Sequence, residues 1–191
     1  MKHILPLNEW IQINESYFAQ GSDYSHLKEK GIEIVNKLVK DHGFSEKVAA
    51  ALTGNMFAES GFDPSKNGTF KGLIQWSKTR FDQLTKIGFG SSNPDRFTID
   101  AQLKLIKYEL TQTAEKGALS AIEKAPSIEE AAYEVAHRYE RCATSLQRDP
   151  KRLKSARELY DLYKELQLPE QIAFQAPVVS VDDGGDIPPP E

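Results

Sequence analysis

"GNMFAESGFDPSKNGTFKGLIQW", residues 54–76, begins as the last turns of a helix and ends as something else. Val48, Ala49, Leu52 and Met56 recur at helical spacing upstream of it, and Ser45 is placed to cap that helix at its N-terminus. Glu59 closes the helix, and Gly61 with Pro64 stops it. Asn67-Gly68 then lies between short extended stretches, which predicts a small two-strand ribbon around Thr69 to Ile74. The stretch therefore sets a carboxylate at a helix end, with Phe57, Phe62 and Trp76 close by in sequence.

An acid in such a place has a chemical use. A carboxyl group that donates a proton near neutral pH must be held neutral, because free Glu ionises at about 4.3. The unpaired carbonyls of a helix C-terminus oppose an anion, and aromatic neighbours remove its water; both effects favour the neutral acid. Glu59 is accordingly the candidate general acid. Gly72-Leu73-Ile74-Gln75-Trp76 adds a close backbone approach, an amide for hydroxyl or N-acetyl groups, and an indole face for a sugar ring.

Outward from this stretch the pattern is helical, so the expected fold is mainly α with a small β-ribbon beside the acid. Residues 25–42 put Ile34, Val35, Leu38 and Val39 on one stripe and end at Gly43, suited to a left-handed cap. Ser77 caps a helix running to Gly88, and Thr98 starts one carrying Ile99, Leu103, Ile106 and Leu110. Ser127-Ile128-Glu129-Glu130 has the form of a capping box, followed by Ala131, Val135 and Tyr139. Asp149-Pro150 opens the last helix, with Leu153, Ala156, Tyr160, Tyr163 and Leu166 along it. Three parts are expected: a docking arm over 1–24, apolar but without helical period; a helical domain over 25–168; and an extended Pro/Asp/Gly-rich tail over 169–191.

Composition narrows the function classes. A chain of 191 residues suits one domain with appendages. Its 39% hydrophobic and 27% charged residues are those of a globular protein, and no run approaches the roughly 20 apolar residues that span a bilayer. A net charge of −4 with interspersed signs disfavours nucleic-acid binding. Cys142 alone, with His3, His26, His42 and His137 scattered, offers no disulfide framework and no metal-ligand set; no metal and no cofactor is expected. The N-terminus lacks the continuous apolar core of a secretory signal, so transport to a substrate outside the cytoplasm would need another carrier.

Gly54-Asn55-x-x-x-Glu59-Ser60-Gly61-Phe62-x-Pro64, then Gly72-Leu73-Ile74-Gln75-Trp76 and Arg80, resembles the phage tail lysozyme family. That family lies in the lysozyme-like superfamily, with goose-type lysozymes and soluble lytic transglycosylases. Weaker agreement continues through Gln102-Leu103, Glu109-Leu110, Tyr139-Glu140-Arg141 and Arg152-x-x-x-Ala156, so the resemblance spans about Gly31 to Tyr163. It implies a lysozyme-like fold and cleavage of the β-1,4 bond between N-acetylmuramic acid and N-acetylglucosamine, with Glu59 as acid. It also implies substrate contacts at Ser60, Phe62, Gln75, Trp76, Tyr139 and Glu140. The implied partners are peptidoglycan strands and, through the two arms, proteins of a phage tail or related puncturing assembly that would bring the chain to the wall.

A second carboxylate is the open point. Inverting hydrolysis wants one about 6.5–9.5 Å from the acid and retaining hydrolysis about 5–5.5 Å. Asp63 is the other acid within the opening stretch, either catalytic or a turn residue before Pro64. Asp82 reads as a solvated face, and Glu140 as a partner of Arg80, Arg141 or a lysine that could also line the cleft. The ribbon "SKNGTFKG" carries no acid. A lytic transglycosylase, which needs one Glu and the substrate's own N-acetyl group, is therefore the alternative reading, and an inactive adaptor with the same fold is another. A chitin-directed enzyme is a minor third.

Overall fold

The computed structural model describes residues 25–89 and 94–175. The arm expected over 1–24 and the tail beyond 175 lie outside the described residues. The elements, in order, are α1 (Ser25–Lys40), α2 (Glu46–Ser60), β1 (Phe70–Lys71), β2 (Trp76–Ser77), α3 (Lys78–Phe89), a 3-10 turn (Pro94–Phe97), α4 (Ile99–Gln112), α5 (Lys116–Lys124), α6 (Ile128–Glu134), a π-helix (Val135–Glu140), α7 (Thr144–Gln147) and α8 (Pro150–Gln175). Among the described residues the fold is mainly α with one two-strand antiparallel ribbon.

The middle of the domain is α2. Every residue from Val48 to Phe57 is buried, which a helix reaches only when neighbours cover it all round. α1, α5, α6 and α8 pack against it. Ala49, Ala50, Ala51 and Gly54 keep its surface small enough for close approach; a Cβ on Gly54 would lie 2.6 Å from the Ala156 backbone nitrogen of α8. This crossing fixes where the C-terminal end of α2 meets the first turn of α8.

The helix ends follow side-chain chemistry. Ser45, Thr98 and Ser127 each accept a hydrogen bond from the backbone N–H three residues on, at 3.2–3.3 Å. Asp149 accepts from the N–H of Lys151 at 2.8 Å and so opens α8 ahead of Pro150. Gly43 and Gly61 take left-handed φ of 68° and 66° after α1 and α2.

Three features differ from the sequence reading. α5 and α7 are short additions, and the helix read from Ser127 through Tyr139 divides into α6 and the π-helix, which continues its period closely enough to read as one. The last helix continues to Gln175, past the expected start of an extended tail at 169. The ribbon's two strands are not joined at Asn67-Gly68, where an isolated antiparallel bridge between Asn67 and Lys71 closes a separate reversal. The strands pair Phe70 with Ser77 and Lys71 with Trp76, so the turn is Gly72–Gln75. Gln102 of α4 accounts for the shift: its Oε1 accepts from the Leu73 N–H at 2.7 Å, and its Nε2 donates to the carbonyls of Pro64 and Arg96 at 2.8 and 3.0 Å. Gly72, at φ 70°, passes so close that a Cβ would sit 2.4 Å from Gln102 Oε1.

Candidate active site

The end of α2 is shaped by two successive left-handed residues, Gly61 and Phe62, the latter at φ 63°. A non-glycine residue adopts this conformation at a cost of about 1–3 kcal/mol. Complete burial of the Phe62 ring, packed 5.4 Å from the Phe57 ring, offsets it. The reversal leaves Glu59 on the last turn, partly open to solvent. Lys66 donates to the Glu59 carbonyl at 2.9 Å, neutralising that helix end and tying the loop before the ribbon to the site.

The Glu59 side chain meets a cation. Arg152, in the first turn of α8, donates from Nη2 to Glu59 Oε1. Its Nη1 donates to Asn55 Oδ1 at 2.7 Å and to Glu140 Oε2 at 2.6 Å. Asn55 is oriented by its own Nδ2, which donates to the carbonyls of Ala51 and Ala132 at 2.9 and 3.0 Å. The side chains of Glu140 and Arg152 are 3% and 4% exposed, that of Glu59 19%. One guanidinium thus joins a buried acid, a buried amide and one acid that reaches the surface.

Burial pushes the Glu140 carboxyl up to about 8; Arg152 opposes this and Glu59 adds to it. Burial pulls the Arg152 guanidinium down, but Glu140 and then Glu59 outweigh it, and it stays above its ordinary value. Cys142 donates to the Ala136 carbonyl at 3.2 Å, and burial raises its thiol. Glu59, Glu140 and Cys142 bring ligand-type atoms within 4.8 Å of one another, though any cation there would compete with Arg152 for both carboxylates.

A second buried carboxylate holds the wall behind the ribbon. Glu109 Oε2 accepts from Trp76 Nε1 at 2.8 Å and from the Tyr139 hydroxyl at 2.7 Å. Arg80 donates from Nε to Glu109 Oε1 at 2.6 Å and from Nη1 to the Tyr139 carbonyl at 3.2 Å. Adjacent residues of the π-helix therefore serve different clusters: Tyr139 joins Glu109, and Glu140 joins Arg152.

The positions expected from sequence separate into two groups. Glu59 and Glu140 come together, through Arg152 rather than through Arg80 or Arg141, whose partners are Glu109 and Glu115. The aromatic surroundings expected to keep Glu59 neutral are turned inward, and its observed partner is a cation. Trp76 is 1% exposed with its indole N–H on Glu109, so it offers no sugar-stacking face; Phe62 and Tyr139 are fully buried. Ser60 donates back to the Met56 carbonyl at 3.0 Å. Gln75, half-buried at φ 52°, donates to the Gly72 carbonyl at 2.7 Å and shapes the turn.

Asp63 is exposed and accepts from the Ser65 hydroxyl at 2.6 Å and the Ser65 N–H at 2.9 Å; the hydroxyl bond, chiefly, holds its carboxyl below the usual range. That is a turn arrangement. Asp82 is exposed, 3.4 Å from Arg96. Two features were missed in sequence. Asn55 and Arg152 belong to the acid cluster, and their signal was their presence in the matched motif. Phe70, 51% exposed on β1, is the large aromatic that the ribbon turns outward.

A family model described as phage tail lysozyme matches residues 30–163. No curated protein matches the chain.

Proposed function

The chain belongs to the phage tail lysozyme family, and on that footing we propose that it cleaves the β-1,4 bond between N-acetylmuramic acid and N-acetylglucosamine, with Glu59 as general acid. The observation that carries this reading is the division of the Arg152 cluster: Glu140 is buried, whereas Glu59 reaches solvent at the end of α2. Arg152, itself held by Asn55, fixes the direction of the Glu59 carboxyl, as a proton donor to a leaving oxygen requires. Phe70 on the ribbon is proposed to contact the glycan strand in the role first given to Trp76.

The second carboxylate bears on the reaction type. Glu140 approaches Glu59 closely enough for a retaining pair, but it is buried and bonded to Arg152, with no face toward a sugar. Asp63 is bonded within its turn. This favours, as a second reading, a lytic transglycosylase in which the substrate's N-acetyl group supplies the second role. Mass spectrometry of fragments released from purified peptidoglycan separates the two: reducing ends follow from hydrolysis and anhydro ends from transglycosylation. Absence of any fragment would leave the inactive adaptor.

The proposed setting is a phage tail or related assembly. The apolar residues 1–24 and the Pro/Asp/Gly-rich C-terminal residues supply segments of the composition expected for docking, and such an assembly would carry the domain to the cell wall.

A further inference from the structure

We propose that Glu140 is a positioning residue that stores the proton Glu59 delivers, with Arg152 changing the carboxylate it neutralises as that proton moves. The inference rests on Glu59 being the acid and adds how it is recharged.

Two carboxyls share one guanidinium. Glu59 and Glu140 have oxygens within 4.8 Å of each other and bond to different nitrogens of Arg152. The other groups acting on Glu140 are Arg80 of α3, through space, and Cys142, which follows the π-helix and is itself raised by burial. Arg80 is already bonded to Glu109 and Arg152 is the cation bonded to both acids, so a second ionised carboxylate in this buried place would be poorly compensated. The cluster is therefore best satisfied with one proton shared between the two acids.

Burial decides where the proton rests. Glu140 is the drier group and is pushed up to about 8, so at neutral pH it carries the proton while Arg152 bonds to both side chains. Among the described residues Glu140 Oε1 is buried without a hydrogen-bond partner. As a carboxylate oxygen it lacks the donors that an ionised group needs when buried.

The exchange balances. The O–H bond of Glu140 breaks and one forms on Glu59; Glu140 becomes the anion and keeps its 2.6 Å bond to Arg152. Glu59 then gives the proton to the leaving glycosidic oxygen and returns to Arg152 as a carboxylate. The proton is restored from water in hydrolysis, or from the sugar hydroxyl that closes the anhydro ring.

The test is the pH profile of fragment release from purified peptidoglycan by the full chain, the Glu140→Gln variant and the Glu59→Gln variant. Glu140→Gln keeps an acceptor for Arg152 and loses the stored proton. Its KM should be unchanged, its kcat at pH 7 at least tenfold lower, and the loss should recover on acidification, moving the alkaline limb down by one unit or more. A Glu140→Gln profile of wild-type shape, uniformly scaled or not, overturns the proposal while Glu59→Gln is inactive. Activity in Glu59→Gln overturns the reading of Glu59 instead. If Glu140→Gln does not fold, carboxyl carbon-13 NMR of the wild-type chain decides: titration of Glu140 above pH 7 supports the store, and an ionised Glu140 throughout pH 6–8 overturns it.

Discussion

Glu59 and Arg152 each stand at the helix end whose dipole opposes their charge, and they bond to each other. Glu59 lies in the last turn of α2, where carbonyls are unpaired, and Arg152 in the first turn of α8, where N–H groups are. Each placement is unfavourable locally by about 0.3–1 kcal/mol. The opposed ends of the two helices resolve this by pairing the charges. Local helix preference would choose neither residue.

Arg152→Ala removes the cation from Glu140 and Asn55 and leaves two buried acceptors without it. Breaking such a buried network costs roughly 3–5 kcal/mol. Urea unfolding should show a loss of this size, and Arg152→Lys should recover only part of it, because a lysine cannot present the fork that serves three partners.

Glu140 should contribute a fall in stability as pH rises from 5 to 8. Its folded value, about 8, lies above the unfolded carboxyl, so the folded state binds more protons in this window. The stabilisation is fully present below the unfolded value near 4.3 and lost as pH passes the folded one, at up to about 1.4 kcal/mol per unit. His42, lowered by burial, is present in both proteins, so the difference between wild type and Glu140→Gln isolates this group. Urea midpoints that keep the wild-type slope in the variant would contradict it.

Gly54→Ala places a methyl against the Ala156 backbone and forces α2 and α8 apart. Overpacking of this kind costs about 1–3 kcal/mol. The same displacement draws Glu59 from Arg152, so fragment release should fall further than the stability change accounts for, as activity assays and melts on one sample would show.

Much of this architecture is legible in the sequence, because helix ends are marked by local chemistry: Ser45, Thr98, Ser127 and Asp149-Pro150 stand where caps are found. Family membership was legible too, and the resemblance read over Gly31 to Tyr163 agrees with the matched 30–163. The site was only half legible. Glu59 could be singled out at a helix end, but its partner lies 93 residues on, and helical period says which face a residue takes, not which helix will cross it. Trp76 reads as a platform until Glu109, 33 residues on, takes its indole N–H. The ribbon slipped for the same reason, since Gln102 chooses Gly72–Gln75 as the turn from outside it.

Phe70→Ala should leave the fold intact, within about 0.5 kcal/mol, because the ring is exposed on a ribbon held by other groups. If the ring contacts the glycan, KM for peptidoglycan rises severalfold, for on the order of 1 kcal/mol of lost apolar contact, while kcat changes little. An unchanged KM would remove Phe70 from the glycan-binding surface.

The role of Glu59 is tested most directly by soluble fragment release from purified cell walls by Glu59→Gln, with its fold checked by urea unfolding. Glutamine keeps an acceptor for Arg152 and cannot donate a carboxyl proton, so the account predicts a folded protein that releases no fragments at any pH. Release at the wild-type rate by that folded variant would contradict it.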